Sequence, residues 1–263
     1  MFEEQQYRLV IEKLEQLAKQ LETKLHQARP AAQGALSNPF FPDFIKEAVI
    51  WLVQKIEELG SEILKKIREF FAGFYAPITL NEYALEWQKV QRITTGVAGQ
   101  IADPALGVGL YWTGDAFRAY AEKTKPQSAA ATRIGSIADK AASTLMGAAN
   151  AGMLFYTALA AALAPFIAAT VVAIAAAATG VGAPPGAAVF VTAAVAGCVA
   201  IGTATAMFIQ NQKGHAATLS GQVSDLTAFT GKGGTWPKAV AEEWNDATVT
   251  DGDADWSVKP GQR

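Results

Sequence analysis

Apolar residues recur along this chain at three- and four-residue steps and then crowd into one continuous run. Residues 2–29 carry Tyr7, Val10, Ile11, Leu14, Leu17, Ala18, Leu21 and Leu25 in a single stripe, with Glu, Lys and Gln between them. That period predicts an amphipathic helix, near enough to a heptad for coiled-coil contact. Pro30 is expected to end it, and a loop with Gly34, Pro39 and Pro42 to follow over 31–42. A second helix is expected over 43–74, with Asp43 as a candidate cap. Its stripe is Ile45, Val49, Leu52, Ile56, Leu59, Ile63, Ile67 and Phe70, widened toward the ends by Phe44, Trp51, Phe71 and Phe74. The polar face mixes Lys with Glu, which favours a bundle-facing helix over an interfacial membrane helix with aromatic ends. Past a break at Pro77, a third helix is predicted over 81–101, with Tyr83, Trp87, Val90, Thr94, Val97 and Ile101 on its apolar face. A fourth starts near Thr113, with an interruption expected near Pro126. Two helices on a short connection make an antiparallel hairpin.

The continuous apolar run follows. Residues 153–178 are almost wholly Ala, Leu, Val, Ile and Phe, with a kink expected at Pro165. The segment Gly180-Val181-Gly182-Ala183-Pro184-Pro185-Gly186 reads as a turn, and 187–209 as a second apolar limb. Each limb exceeds the roughly 20 residues needed to cross a bilayer. Their Ala, Gly and Thr content lets two backbones approach closely. Beyond Lys213, residues Leu219, Val223, Leu226 and Phe229 suggest an amphipathic helix, ended by glycines at 231–234. A short helix is expected over 236–246, and the acidic end reads as a flexible tail. No segment reads convincingly as a strand. The fold class expected is all-α: an elongated helical bundle with N-terminal helices over 1–30 and 40–76. A helical hairpin over 80–150 and an apolar Ala/Gly-rich hairpin over 151–212 follow, then C-terminal helices over 213–246 and a tail over 247–263.

Composition turns this pattern into a question. Of 263 residues, 51% are hydrophobic and 17% charged, with a net charge of −2; a globular average is about 25% charged. The deficit is local, since no Asp, Glu, Lys or Arg stands between Lys140 and Lys213. Disorder is thereby excluded for most of the chain, and a fully hydrated surface for that run. It must lie in protein, in lipid, or in each at different times. The near-neutral balance argues against a nucleic-acid partner. A lone cysteine, Cys198, excludes an intrachain disulfide and a multi-Cys metal site, and is expected to be a buried, inert thiol. His26 and His215 lack metal-ligand spacing. The start, Met1-Phe2-Glu3-Glu4, lacks the basic and apolar regions of a cleaved signal, so any export is expected to be leaderless. No phosphate loop and no nucleophile elbow appears. The pairs Glu57-Glu58 and Glu242-Glu243 are sequence neighbours, which a helix points about 100° apart. The expectation is no enzyme, no cofactor, no metal and no small-molecule substrate.

One local motif has content: Tyr111-Trp112-Thr113-Gly114-Asp115-Ala116-Phe117, at the bend between the third and fourth helices. Gly114 permits a tight turn, Thr113 suits a cap, and Asp115 suits a first helical turn. Trp112 then stands at a hairpin tip, as a plug for a partner's groove or as a core residue. The arrangement resembles the WXG superfamily of type VII (ESX) secretion substrates, with Trp112, Gly114 and Ala116 matching over residues 80–150. The resemblance implies hairpins packed in pairs, with a partner or a second copy, and export without a cleaved signal. The superfamily's Tyr-X-X-X-Asp/Glu signal follows the second helix; here its match, Tyr111 to Asp115, falls inside the bend, which leaves a partner to supply it.

The apolar hairpin has basic flanks at Arg133, Lys140 and Lys213 and an uncharged tip at Gly180, Gly182, Pro184, Pro185 and Gly186. Such a hairpin can enter a membrane from the flanked side. Three readings follow. The first is a non-enzymatic, WXG-like secreted or surface protein whose hairpin enters a target membrane, similar in plan to helical pore-forming toxins. The second is a resident membrane protein with two spans. The third is a soluble, cytoplasmic helical protein with the hairpin as its core. The partners expected are a lipid membrane and a protein partner or second copy.

Overall fold

The structure, a computed structural model, describes residues 2–102, 115–180, 182–228 and 236. Every element among them is helical and no strand occurs: α1 (Glu4–Leu36), α2 (Asp43–Phe71), α3 (Ala76–Gln100), α4 (Asp115–Thr179) and α5 (Ala183–Ala228). The chain is all-α. It divides into two compact units, residues 1–81 with 146–215, and 82–145 with 216–263. Both α4 and α5 run unbroken from one unit's residues into the other's.

In the first unit α1 and α2 pair antiparallel. Across their surface Arg29 forks onto Glu57 at 2.6 and 2.7 Å, and Arg68 reaches Glu22 at 2.8 Å. Such exposed pairs fix register more than they stabilise. The stripes carry the stability: Tyr7, Ile11, Leu14 and Leu21 of α1 and Val49, Leu52, Ile56, Ile63 and Ile67 of α2 are buried. The later half of α4 completes this core with Phe155, Tyr156, Leu159, Leu163, Phe166 and Ile167. Helix α5 lies antiparallel along α4. Phe155 stacks on Phe208 with centroids 4.7 Å apart, Phe166 meets Phe190 at 5.5 Å, and Gln212 Nε2 donates to the Ala148 carbonyl at 3.0 Å.

In the second unit α3 and the first half of α4 form the expected antiparallel hairpin. Ser128 Oγ donates to the Ala98 carbonyl at 3.1 Å, and Gly135 faces the hydroxyls of Thr94 and Thr95. Buried Ala84, Ala98, Ala130, Ala131 and Ala138 belong to this unit.

Several local expectations are corrected. Pro30 does not end α1, which continues to Leu36. A proline costs the helix one hydrogen bond, and burial of Ala28, Ala32 and Ala35 around it holds the helix together. Asp43 is not the cap: Pro42 holds that position, and Asp43 lies in the first turn, favourable to the helix dipole. Pro77 sits in the first turn of α3, where its missing N–H is no loss. Neither Pro126 nor Pro165 interrupts α4, and no break at Lys213 divides α5. Cys198 is only partly buried. Of the stripe expected on α3, Tyr83 is exposed, Trp87, Val90 and Val97 are about one-third exposed, and Thr94 lies against Gly135 of α4.

Candidate membrane-contact surface

The first unit has two unlike sides. Its α1 and α2 side is dressed with Lys, Arg and Glu. Its α5 side carries no charge from Ala183 to Gln212. That second side is not covered by protein. Two described helices, α4 and α5, are long and apolar enough to cross a membrane. In its most apolar stretch α4 is 50% buried; α5 is only 22% buried. The residues left out on α5 include Val189, Val195, Val199, Met207 and Ile209. Its inward residues, Phe190, Ala194 and Ile201, pack against α4. Helix α5 is apolar on both faces, and only one of them has a protein neighbour.

Five threonine hydroxyls of this hairpin are bonded within their own helices. Thr157, Thr170, Thr192 and Thr205 each donate their hydroxyl to the carbonyl four residues earlier, at 2.8 Å. Thr179 donates to the Ala176 carbonyl at 3.0 Å. Hydroxyls tied to their own helix meet the requirement that hydrocarbon imposes on polar groups.

The expected tip is shorter than a seven-residue turn. Gly180 has φ +73°, the left-handed conformation that glycine adopts without strain. Helix α5 begins at Ala183, so Pro184, Pro185 and Gly186 lie in its first turn. Both prolines are exposed there and Gly186 is buried against Ala176. At the opposite end of α4's limb, Tyr156 of α4 and Tyr7 of α1 reach the end of α2 and the residues just beyond it. Tyr156 Oη donates to the Phe70 carbonyl at 2.7 Å, and Tyr7 Oη to the Phe74 carbonyl at 2.6 Å. These carbonyls lie at and just beyond the end of α2, where helical partners run out. Burial, with Tyr156 alongside, pushes the Tyr7 hydroxyl well above the ordinary tyrosine value.

Of the bend motif, Tyr111, Trp112 and Gly114 lie outside the described residues; Asp115 and Ala116 open α4. Among the described residues, no group of three or more His, Cys, Asp or Glu stands close enough to hold a metal ion. Sequence reading passed over the tyrosine pair, for which buried aromatics near a helix end are a faint signal. It also passed over Phe40 and Phe41, whose signal was the preceding Asn38-Pro39 turn.

No family model matches the chain, no curated protein matches it in sequence, and no solved structure matches it in fold.

Proposed function

We propose that this protein acts without catalysis, by lodging the apolar hairpin of α4 and α5 in a lipid bilayer. The observation that carries this reading is the open face of α5. A helix that serves as the core of a soluble bundle buries its apolar surface, whereas α5 leaves most of its own uncovered over 30 uncharged residues. At 1.5 Å per residue that length is about 45 Å, more than the roughly 30 Å of a hydrocarbon core. The uncharged tip and the basic flanks at Lys140 and Lys213 suit entry by the tip. The same hairpin would serve a secreted pore former or a resident two-span protein; carbonate extraction beside assay of the culture supernatant separates the two.

Dye-loaded phosphatidylcholine vesicles test the reading. Wild-type protein should release dye, and Val195→Asp with Val199→Asp should abolish release. Each aspartate costs roughly 2.5–3.5 kcal/mol at mid-membrane and about 0.5 kcal/mol or less at an exposed site in water. Vesicles that neither bind the wild-type chain nor leak would overturn it.

A second, compatible role is supported by α3. Its apolar stripe is at least partly exposed at Tyr83, Trp87, Val90 and Val97, which suits a partner helix or a second copy, as the WXG resemblance implies for residues 80–150.

A further inference from the structure

The geometry points to a seat for the lipid–water interface at one end of the first unit, built from the α1–α2 loop, the opening turns of α2 and the α4–α5 turn. The inference rests on the membrane reading above and deepens it, by naming the residues that meet the bilayer first.

Two charge-free stretches of sequence, 30–42 and 141–212, come together there. Their junction is a contact: the Phe41 ring covers Gly180 so closely that any Cβ at that position would overlap it. One turn further along α5, a Cβ at Gly186 would stand 3.7 Å from the Leu52 side chain of α2. Around this seam the aromatic side chains divide. Phe41 turns inward and joins the core, while its neighbour Phe40 is 90% exposed. The loop is not slack. Asn38 Oδ1 accepts the Phe40 N–H at 2.9 Å and the Asn38 carbonyl accepts the Phe41 N–H at 3.3 Å, an Asx turn that fixes which ring faces out. Phe44 is 66% exposed, and Trp51, two turns along the same face of α2, is 45% exposed. Pro184 and Pro185 are exposed on the first turn of α5. At the other end of α2, by contrast, Phe70, Phe71 and Phe74 pack against the core. The aromatic ends of α2 are unequal: Tyr75 is the one ring exposed beyond the second, whereas Phe40, Phe44 and Trp51 are exposed toward the first.

Lipid is the occupant this composition fits. Trp51 suits headgroup depth, where one end of a ring is wet and the other apolar, and Phe40 and Phe44 suit the boundary between headgroups and acyl chains. The charges on the opening turns of α2 are Asp43, Lys46 and Glu47, a mixture without the basic excess that anionic headgroups select. The open face of α5 also begins at this seam, with Val189. One bilayer therefore satisfies both: the rings rest at the interface, and the uncharged turn beside them enters.

Flotation of the full chain with vesicles, of phosphatidylcholine alone or with phosphatidylserine, tests the seat. Phe40→Ser with Phe44→Ser should weaken binding to phosphatidylcholine by about tenfold or more. Leu9→Ser on α1, a 64% exposed apolar side chain near the far end of that helix, should leave binding unchanged. Both positions are exposed, so circular dichroism should match wild type. A polarity-sensitive dye on Phe40→Cys, in a Cys198→Ala background, should shift blue on vesicles at low and high salt alike. Wild-type affinity in the double variant, with leakage still blocked by the Val195 and Val199 aspartates, would overturn the seat and leave the membrane reading standing. Binding only to anionic vesicles, reversed by salt, would also overturn it. A double variant whose sole change is dissociation of a self-associated species would assign the face to a second copy instead. Failure of the wild type to bind any vesicle would remove both proposals together.

Discussion

At the scale of single residues, two tyrosines converge on the end of α2: Tyr156 ties α4 to Phe70, and Tyr7 ties α1 to Phe74. The Tyr156 hydroxyl adds to the Phe70 carbonyl, which the Gly73 N–H also reaches, whereas the Tyr7 hydroxyl completes the Phe74 carbonyl, and its removal leaves a part-buried acceptor unpaired. Tyr7→Phe should lower stability by about 1–2 kcal/mol, read from the urea midpoint at neutral pH. The same residue should shape the alkaline limb. Its folded-state value is raised above the unfolded value of 10.0, so its contribution is complete below that pH. Above it the unfolded chain releases a proton that the folded chain retains, and stability falls as pH rises. Tyr7→Phe should therefore flatten part of the loss measured above pH 10.0; an unchanged alkaline limb would remove this explanation. Residue detail of this kind was barely legible in sequence. Phe40 and Phe41 are the same amino acid at adjacent positions, and the Asn38 turn leaves Phe41 partly buried against the core and Phe40 exposed.

At the scale of elements, periodicity read the helices and their stripes well, because a 3.6-residue repeat reports which residues share a face. The buried stripes of α1 and α2 run through the residues the pattern named. It could not report what covers a face. Helix α3 shows this: past its first turn the buried apolar residues are Ala84 and Ala98, while Tyr83, Trp87, Val90 and Val97 of its apolar stripe are at least partly exposed. Helix ends were misjudged for a related reason. A proline is a local break signal, but packing over many turns outweighs one missing hydrogen bond, so α1 and α4 pass through Pro30, Pro126 and Pro165. The exposed part of the α3 stripe leads to its own expectation. Tyr83, Trp87, Val90 and Val97 recur at heptad spacing, as a helix–helix seam does. Trp87→Ser with Val90→Ser should shift sedimentation from a dimer to a monomer, with thermal stability of the monomer changed little, since neither side chain is buried. A wild-type chain that sediments as a monomer at high concentration would show this face to be unused in self-association.

At the scale of the whole molecule, the charge pattern sets the terms on which a hairpin could leave water. All 46 acidic and basic side chains lie outside residues 141–212. Helix α5 needs no rearrangement to expose an apolar face, since that face is already open. Helix α4 is different. If it spans too, Phe155, Leu159, Leu163 and Phe166 exchange protein contacts for lipid, a nearly even trade because lipid is as apolar as the core they leave. The loss falls on α1 and α2, whose stripes would be uncovered at about 1.5–3 kcal/mol per large side chain. Full insertion thus requires those stripes to find a new cover, whereas entry by α5 alone does not. A disulfide can separate the two routes. A Cβ at Gly152 would stand 3.2 Å from that of Pro77, in the first turn of α3 and six residues beyond the end of α2, so cysteines there are close to bonding distance. In a Cys198→Ala background, oxidised Pro77→Cys with Gly152→Cys would tie the base of the α4 limb to the first turn of α3. If α4 must leave the bundle, the oxidised form should bind vesicles but release no dye, and reductant should restore release. Equal leakage in both redox states would mean that α5 enters while the rest of the bundle stays closed.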